Sequence, residues 1–353
     1  MAEKAKKKAW WQKLIIALAI AAIVVAVFFG AVIGYFKIPV SGYYKASEKA
    51  FEIPGLSDGF IAQGISYDDR EDTFFITGYM KDKSASPVYL VKKSEGKKAK
   101  AKTLYLKKQD GSDYTGHCGG LTVRGDYIYV AGGGKHCLYV YSYAEAVAAE
   151  DRSPLVCKGE FKIETEDQSD YLGVAFVTVW DNELVAGEFY REQNYPTPDA
   201  HKRVTKSGET NTAMAVSFAF ANGTEGEGET AFGLKKQPSK AISMPGLVQG
   251  AYFENGKAVL STSYGVAFSH LYEYDLEKAA TGETAKLLGK DLPLYSLDHS
   301  SLEKDYKIAP MSEEIVLAGG KTYVMCESAS NKYIFGKFTG AKWCYATELS
   351  KMK

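Results

Sequence analysis

Five stretches of this chain repeat one phrase, and that repetition restricts the fold more than any other feature. The phrase is a polar or glycine residue, a short apolar run, a turn, a second apolar run, and then a third. Its copies read "QGISYDDREDTFFITGY" from Gln63, "HCGGLTVRGDYIYVAGG" from His117, "LGVAFVTVWDNELVAGEFY" from Leu172, "QGAYFENGKAVLSTSYG" from Gln249 and "SEEIVLAGGKTYVMCES" from Ser312. Short apolar runs broken at Arg124-Gly125-Asp126, Asn255-Gly256 and Gly319-Gly320 read as antiparallel strands joined by hairpin turns. Third strands follow as "SPVYLV", "HCLYVYSY", "AMAVSFAF", "SHLYEYDL" and "KWCYATEL", and fourth strands as "AKTLYLKK", "VCKGEFKI", "KAISMP" and "LPLYSL". Four antiparallel strands repeated around an axis make an all-β propeller. The abundance of Tyr (25) and Gly (34) over Pro (10) suits many short strands and tight turns.

The fifth copy ends after its third strand, and "KAFEIPG" from Lys49 supplies a matching outer strand from the other end of the chain. Closure of that kind removes the open edge between first and last blades. The count is five blades, with six also compatible because residues 190–249 have room for another.

Ahead of the repeats, "LIIALAIAAIVVAVFFGAVIGYF" runs from Leu14 to Phe36 without a charge, 23 residues that match the roughly 30 Å hydrocarbon core of a bilayer. Trp10, Trp11 and Tyr35 fall where an aromatic belt sits, and the preceding Lys cluster predicts a cytoplasmic N-terminus. The run is longer than a cleaved signal peptide's apolar region and ends in bulky residues. The expected organisation is a cytoplasmic basic tail over 1–13, a transmembrane helix over 14–36, a linker over 37–48 and an extracytoplasmic propeller over 49–353. The membrane is thus a predicted partner. Lys plus Arg equals Asp plus Glu at 43 each, but residues 1–37 hold six Lys and one Glu, so the rest is mildly acidic. That balance argues against nucleic acid as a partner.

In a propeller, the loop entering each innermost strand and the loop joining strands two and three converge around the channel on one face. The entering positions are Gln63, His117, Asp170 with Tyr171, Gln249, and Glu313 with Glu314. The second-loop positions are Tyr79, Tyr190, Tyr264 and Glu327, backed by Ser86, His136 and Ser269. Such a ring suits a small polar ligand, a glycan or a metal ion, although entering residues also serve to satisfy neighbouring backbone groups. His117 and Glu313 are the candidate ligands for a divalent cation such as calcium, or equally a general acid–base residue and its orienting partner. No nucleophile elbow, P-loop, HExxH or dinucleotide fingerprint occurs.

Of the five cysteines, Cys326 and Cys344 are the best-placed candidates for a disulfide, with free thiols the alternative. Residues 91–109 carry eight Lys, suited to an anionic cell-envelope polymer or lipid head groups, or to a solvated loop that protects an edge. The polar segment from Asn194 to Thr212 is either a lid or a disordered insertion.

The phrases "HCGGLTV", "VQGAYFENGKAVLSTSYG" with "SHLYEYD", and "PMSEEIVLAGGKTYVMCESASNKY" resemble secreted or membrane-anchored bacterial propeller proteins without an assigned activity. More distantly the chain is similar to NHL, YncE and SMP-30/gluconolactonase propellers. The lactonase likeness implies a channel metal held by carboxylate and Asn ligands; the comparable positions here are Gln63, His117, Gln249 and Glu313, with no Asn. Two functions follow as expectations: a surface-displayed module binding a polar ligand, glycan or cell-envelope protein at the channel face, or a channel-site hydrolase or lactonase.

Overall fold

The computed structural model describes residues 2–352. Helix α1 covers Ala2–Lys37 as one 36-residue element. Its apolar side chains, among them Ile15, Ile20, Val24 and Phe28, are exposed, and its length and composition fit a membrane span or a signal anchor. A 3-10 turn, Ile38–Val40, and helix α2, Ser41–Ala46, follow at once, with Val40 and Tyr43 buried. The segment expected to be a linker is therefore packed against the body.

Strand β1, Ser47–Glu52, comes next. The first full antiparallel sheet is β2 (Phe60–Asp68), β3 (Thr73–Met80), β4 (Pro87–Lys92) and β5 (Ala101–Lys107). The second is β6 (Leu121–Arg124), β7 (Tyr127–Ala131) and β8 (Cys137–Ser142); the chain then leaves as β9 (Ser153–Val156), parallel to β5, before β10 (Gly159–Lys162) completes the sheet. The third sheet begins with β11 (Val174–Trp180) and β12 (Glu183–Glu188). A two-stranded ribbon intervenes, β13 (Arg203–Val204) and β14 (Thr210–Asn211). The third sheet resumes with β15 (Ala213–Phe220), β16 (Thr230–Ala231) and β17 (Leu234–Met244). The fourth holds β18 (Val248–Glu254), β19 (Lys257–Thr262) and β20 (Ser269–Asp275). From β20 the chain returns to the third sheet as β21 (Ala280–Leu287) and β22 (Lys290–Ser296), and then supplies the fourth with β23 (Leu302–Ile308). The fifth sheet is β24 (Ser312–Ala318), β25 (Lys321–Cys326) and β26 (Trp343–Thr347), with β1 antiparallel to β26 on its outer side.

"LPLYSL" is a correction to the sequence reading. As β22 it pairs in parallel with β17 and covers the third sheet's outer edge, so it is not the fourth sheet's last strand. That place belongs to β23, whose "LEKDYKI" carries a charged outer face that hides a strand among loop-like residues. The region 190–249 holds the ribbon and the remaining strands of the third sheet.

Strand alternation explains how the sheets assemble. Each sheet turns alternate side chains to its two neighbours, so Phe74 and Phe75 enter different apolar clusters, as do Phe176 and Val177, and Leu184 and Val185. The inner strands touch in order: β2 meets β6 and β24, β11 meets β6 and β18, and β18 meets β24. The result is an all-β, propeller-like ring carrying an N-terminal apolar helix. The same alternation separates Cys326 from Cys344. The pairing of Val324 with Tyr345 carries on to put Met325 opposite Cys344, so Cys326 faces a different cluster. Among the described residues all five cysteines are free and buried.

At the axis the inner strands share one carboxylate. Glu314 Oε2 accepts from the backbone N–H of Ile65 (2.8 Å) and of Leu121 (2.9 Å), and Oε1 accepts from Val177 N–H (3.4 Å). These donors occupy equivalent positions in "QGI", "GGL" and "AFV" of three sheets. Gly120 and Gly250 leave room for it: a Cβ on Gly120 would meet Glu314 Oε1 at 2.4 Å, and one on Gly250 would meet its Cα at 2.5 Å. Burial outweighs the pull of the three N–H donors and holds the Glu314 pKa above the ordinary carboxylate range. A buried polar group left without a partner costs about 1–3 kcal/mol. Glu314→Ala, which orphans three donors, is therefore expected to lower the melting temperature sharply, and Glu314→Gln, which keeps one acceptor oxygen, to lower it less. Equal melting temperatures by circular dichroism would contradict the axial role.

Candidate functional site

Four of the five innermost strands start with a bulge. Register shifts between Ala62 and Gly64, Val174 and Phe176, Val248 and Gly250, and Ser312 and Ile315 leave Gln63, Ala175, Gln249 and the pair Glu313-Glu314 outside the ladder. A bulge re-aims the side chain it releases. Here Gln63, Ala175, Gln249 and Glu313 line one cavity of about 410 Å³, together with Gly119 at the equivalent point of the second sheet.

Seven of the nine sequence-derived site residues line this cavity: Gln63, Tyr79, His117, Gln249, Tyr264, Glu313 and Glu327. Tyr171 and Tyr190 do not. The bulge of the third sheet falls at Ala175, four residues after Tyr171, whose ring stacks on His136 at 3.9 Å. Phe189 lines the cavity in place of its neighbour Tyr190, whose ring takes Lys202 on its face instead. Sequence reasoning also missed Tyr195, Lys332 and Tyr333, all from irregular segments where no strand period marks a direction.

His117 Nε2 donates to Gln63 Oε1 (2.8 Å), and Gln63 in turn donates to its neighbour's carbonyl, Ala62 O (3.0 Å). The partner of His117 is thus Gln63 rather than Glu313. The imidazole is open to the cavity's solvent but crowded by protein on its other sides, and this crowding together with the nearby Lys332 ammonium pulls its pKa down to about 4. It is neutral at pH 7, with Nδ1 an acceptor. Glu313 is 2% exposed, and its Oε2 has no hydrogen-bond partner. Burial, then the neighbouring Glu327 and Glu314 carboxyl groups, hold its pKa well above the usual range, which favours its neutral, proton-bearing form.

Beside these groups Glu327 Oε1 accepts from Tyr79 OH (2.9 Å) and Tyr333 OH (3.0 Å), and Lys332 Nζ donates to Tyr79 OH (2.9 Å). Lys332 also lies 4.0 Å from Glu327 Oε1, balancing its charge. Phe189, Tyr195 and Tyr264 add aromatic surface, with the Arg191 guanidinium 4.0 Å from the Tyr264 ring centre. Among the described residues no group of three or more His, Cys, Asp and Glu is gathered to hold a metal ion, so the expected cation site at His117 and Glu313 has no third ligand of these types.

The segment from Asn194 to Thr212 is folded, and Tyr195 brings it to the cavity. It is tied down by His201, 1% exposed, whose Nδ1 donates to Glu188 (2.9 and 3.0 Å) and whose Nε2 donates to Asp170 Oδ1 (3.2 Å). Asn211 adds bonds to Ser243 Oγ and Leu297 O.

No family model and no curated protein matches the chain. Among solved structures it is similar to glutaminyl cyclase of Myxococcus xanthus (10% identity, TM-score 0.40, 85% of this chain and 94% of that one). It is also similar to the PQQ-bound aldose sugar dehydrogenase of Streptomyces coelicolor (10% identity, TM-score 0.44, 85% and 95%) and to a chain of a nidogen/laminin complex (8% identity, TM-score 0.36, 76% and 73%).

Burial disfavours charge on His201, but the Glu188 and Asp170 carboxylates outweigh it and raise its pKa. The stabilisation from this contact is therefore complete below the unfolded value of about 6.5 and is lost as pH rises through the higher folded value. Hydrogen exchange, corrected for intrinsic rates, is expected to show residues 194–212 losing protection over that rise. His201→Gln should remove the pH dependence; an unchanged profile would refute the tie.

Proposed function

We propose that the chain is a single-pass membrane protein, with its N-terminus cytoplasmic and a five-bladed propeller outside, that binds a neutral, hydroxyl-rich ligand such as a glycan in the channel-face cavity. The five sheets of four or more strands support the blade number, and the basic flank of the apolar run supports the orientation.

One observation carries the ligand class: the buried Glu313 carboxyl oxygen without a partner, whose burial favours the protonated form, in a cavity whose other polar lining is uncharged or internally balanced. An ionic ligand would bring a charge that nothing there is free to pair, whereas hydroxyls both donate and accept. Glu313 offers a donor, His117 Nδ1 an acceptor and Gln249 one of each. Tyr79, Tyr195, Tyr264 and Tyr333 offer faces against which the C–H side of a sugar ring packs.

Glu313→Gln retains a donor at that point, while Glu313→Ala removes it. Calorimetric titration against a glycan panel is expected to show wild type losing affinity as pH rises through the raised Glu313 value, because ionisation removes the donated proton. Glu313→Gln should bind without that pH dependence. Glu313→Ala and His117→Ala should fold normally and bind about tenfold more weakly, the loss of roughly one hydrogen bond. Wild-type affinity in both alanine variants would reject this cavity as the site.

The opposed pKa directions of Glu313 and His117 favour a second reading, a hydrolase using them as acid and base. Release of product from bound glycan, lost in both Glu313→Gln and His117→Ala, would select it.

A further inference from the structure

The helix that precedes the propeller docks on the same loops that form the cavity mouth. Tyr35 packs on Phe268 (ring centres 6.1 Å apart), Phe36 stacks on Phe335 (5.4 Å) and Phe29 packs on Phe338 (5.7 Å). Residues 264–268 also supply Tyr264 and Gly265 to the cavity lining, and residues 332–338 supply Lys332 and Tyr333. The cavity and the anchor therefore share one face of the ring.

The apolar run ends at Phe36, and at 1.5 Å per residue Phe29 lies roughly 10 Å deeper along the helix. Phe338 reaches to that depth, so its loop sits at or below the level where a helix spanning about 30 Å of hydrocarbon would meet the headgroups. The neighbouring side chains suit such a layer. Val266 is 62% exposed, Ile334 75% and Ile38 73%, three large apolar groups left in water by the protein itself. Lys37 and Lys337 are exposed among them, and Lys307 Nζ lies 4.3 Å from the Phe268 ring centre. Apolar tips ringed by lysines are the composition of a surface seated in a lipid interface.

We infer that the cavity mouth lies in the headgroup layer of the membrane that α1 crosses, and that the cavity takes its ligand as the hydroxylated headgroup of a lipid in that leaflet. The inference rests on the ligand class proposed above and adds where the ligand comes from. Two features converge on the lipid: the exposed apolar tips continue the docked surface of α1, and that surface passes directly into the rim of a cavity holding an uncharged, hydrogen-bonding floor.

The test uses the full chain in nanodiscs of phosphatidylcholine with or without a monoglycosyl diacylglycerol. Ile334→Cys, labelled with an environment-sensitive fluorophore that the buried native thiols do not take up, reports on the mouth; Glu254→Cys, at the far end of β18, is the control. The Ile334 label is expected to emit at shorter wavelength and to be quenched by phosphatidylcholine brominated near the glycerol end, and the Glu254 label to be unaffected. Native mass spectrometry is expected to show the glycolipid retained in preference to phosphatidylcholine, with the preference falling about tenfold in Glu313→Ala. An Ile334 label that stays unquenched overturns the membrane seating, and a wavelength shift that depends on protein concentration instead assigns the patch to a second copy. Binding of the free saccharide without retention of the glycolipid overturns the lipid source while leaving the glycan reading standing. A quenched label with neither ligand bound rejects that reading and leaves only the seating.

Discussion

The ring depends on one buried carboxylate. Inner strands of a propeller converge on an axis where their first N–H groups point at one another, and no strand is present there to accept them. Glu314 solves this by reaching from the last sheet to the backbone of the first three, while its own backbone lies against Gly250 of the fourth. All five inner strands thus meet at one residue. Because a carboxyl group presents two acceptor oxygens, a single side chain serves donors from three strands, which a hydroxyl or amide, with one acceptor oxygen, does less completely.

The cavity follows from the same convergence. The bulges at the starts of the inner strands release Gln63, Gln249 and Glu313 from pairing, so the residues left without a ladder partner are those that line the cavity. Glu313 and Glu314 are adjacent in sequence and opposite in circumstance. Glu314 is saturated by backbone donors and serves the fold, whereas Glu313 keeps a buried oxygen with no partner. That contrast separates a carboxyl that serves the fold from one whose oxygen the fold leaves unpaired.

Much of the architecture was legible in the residues. The repeated phrase marked the inner and second strands; Gln63, Gln249 and Glu313 were recognisable because each stands at the same point of its copy, and His117 because it opens the second copy two residues before the equivalent Gly119. Where the repeat is interrupted, the residues mark no such position. Tyr171 precedes a strand whose bulge lies at Ala175, and a bulge adds a residue that no period announces. Exchange of strands between neighbouring sheets was equally hidden, since "LPLYSL" has the same alternation whether it pairs within its own sheet or with β17. Tyr195, Lys332 and Tyr333 lie in loops, where direction is set by tertiary contacts alone.

The sequence by itself determined the apolar helix, the β character and the radial repeat, because these rest on local periodicity, on turn residues and on the length of an uncharged run. Only the tertiary structure decided which carboxylate is satisfied and which is left open, that Cys326 and Cys344 face different clusters, and that the helix docks on the rim of the cavity. Those outcomes depend on distances between residues remote along the chain, and no local pattern encodes such distances.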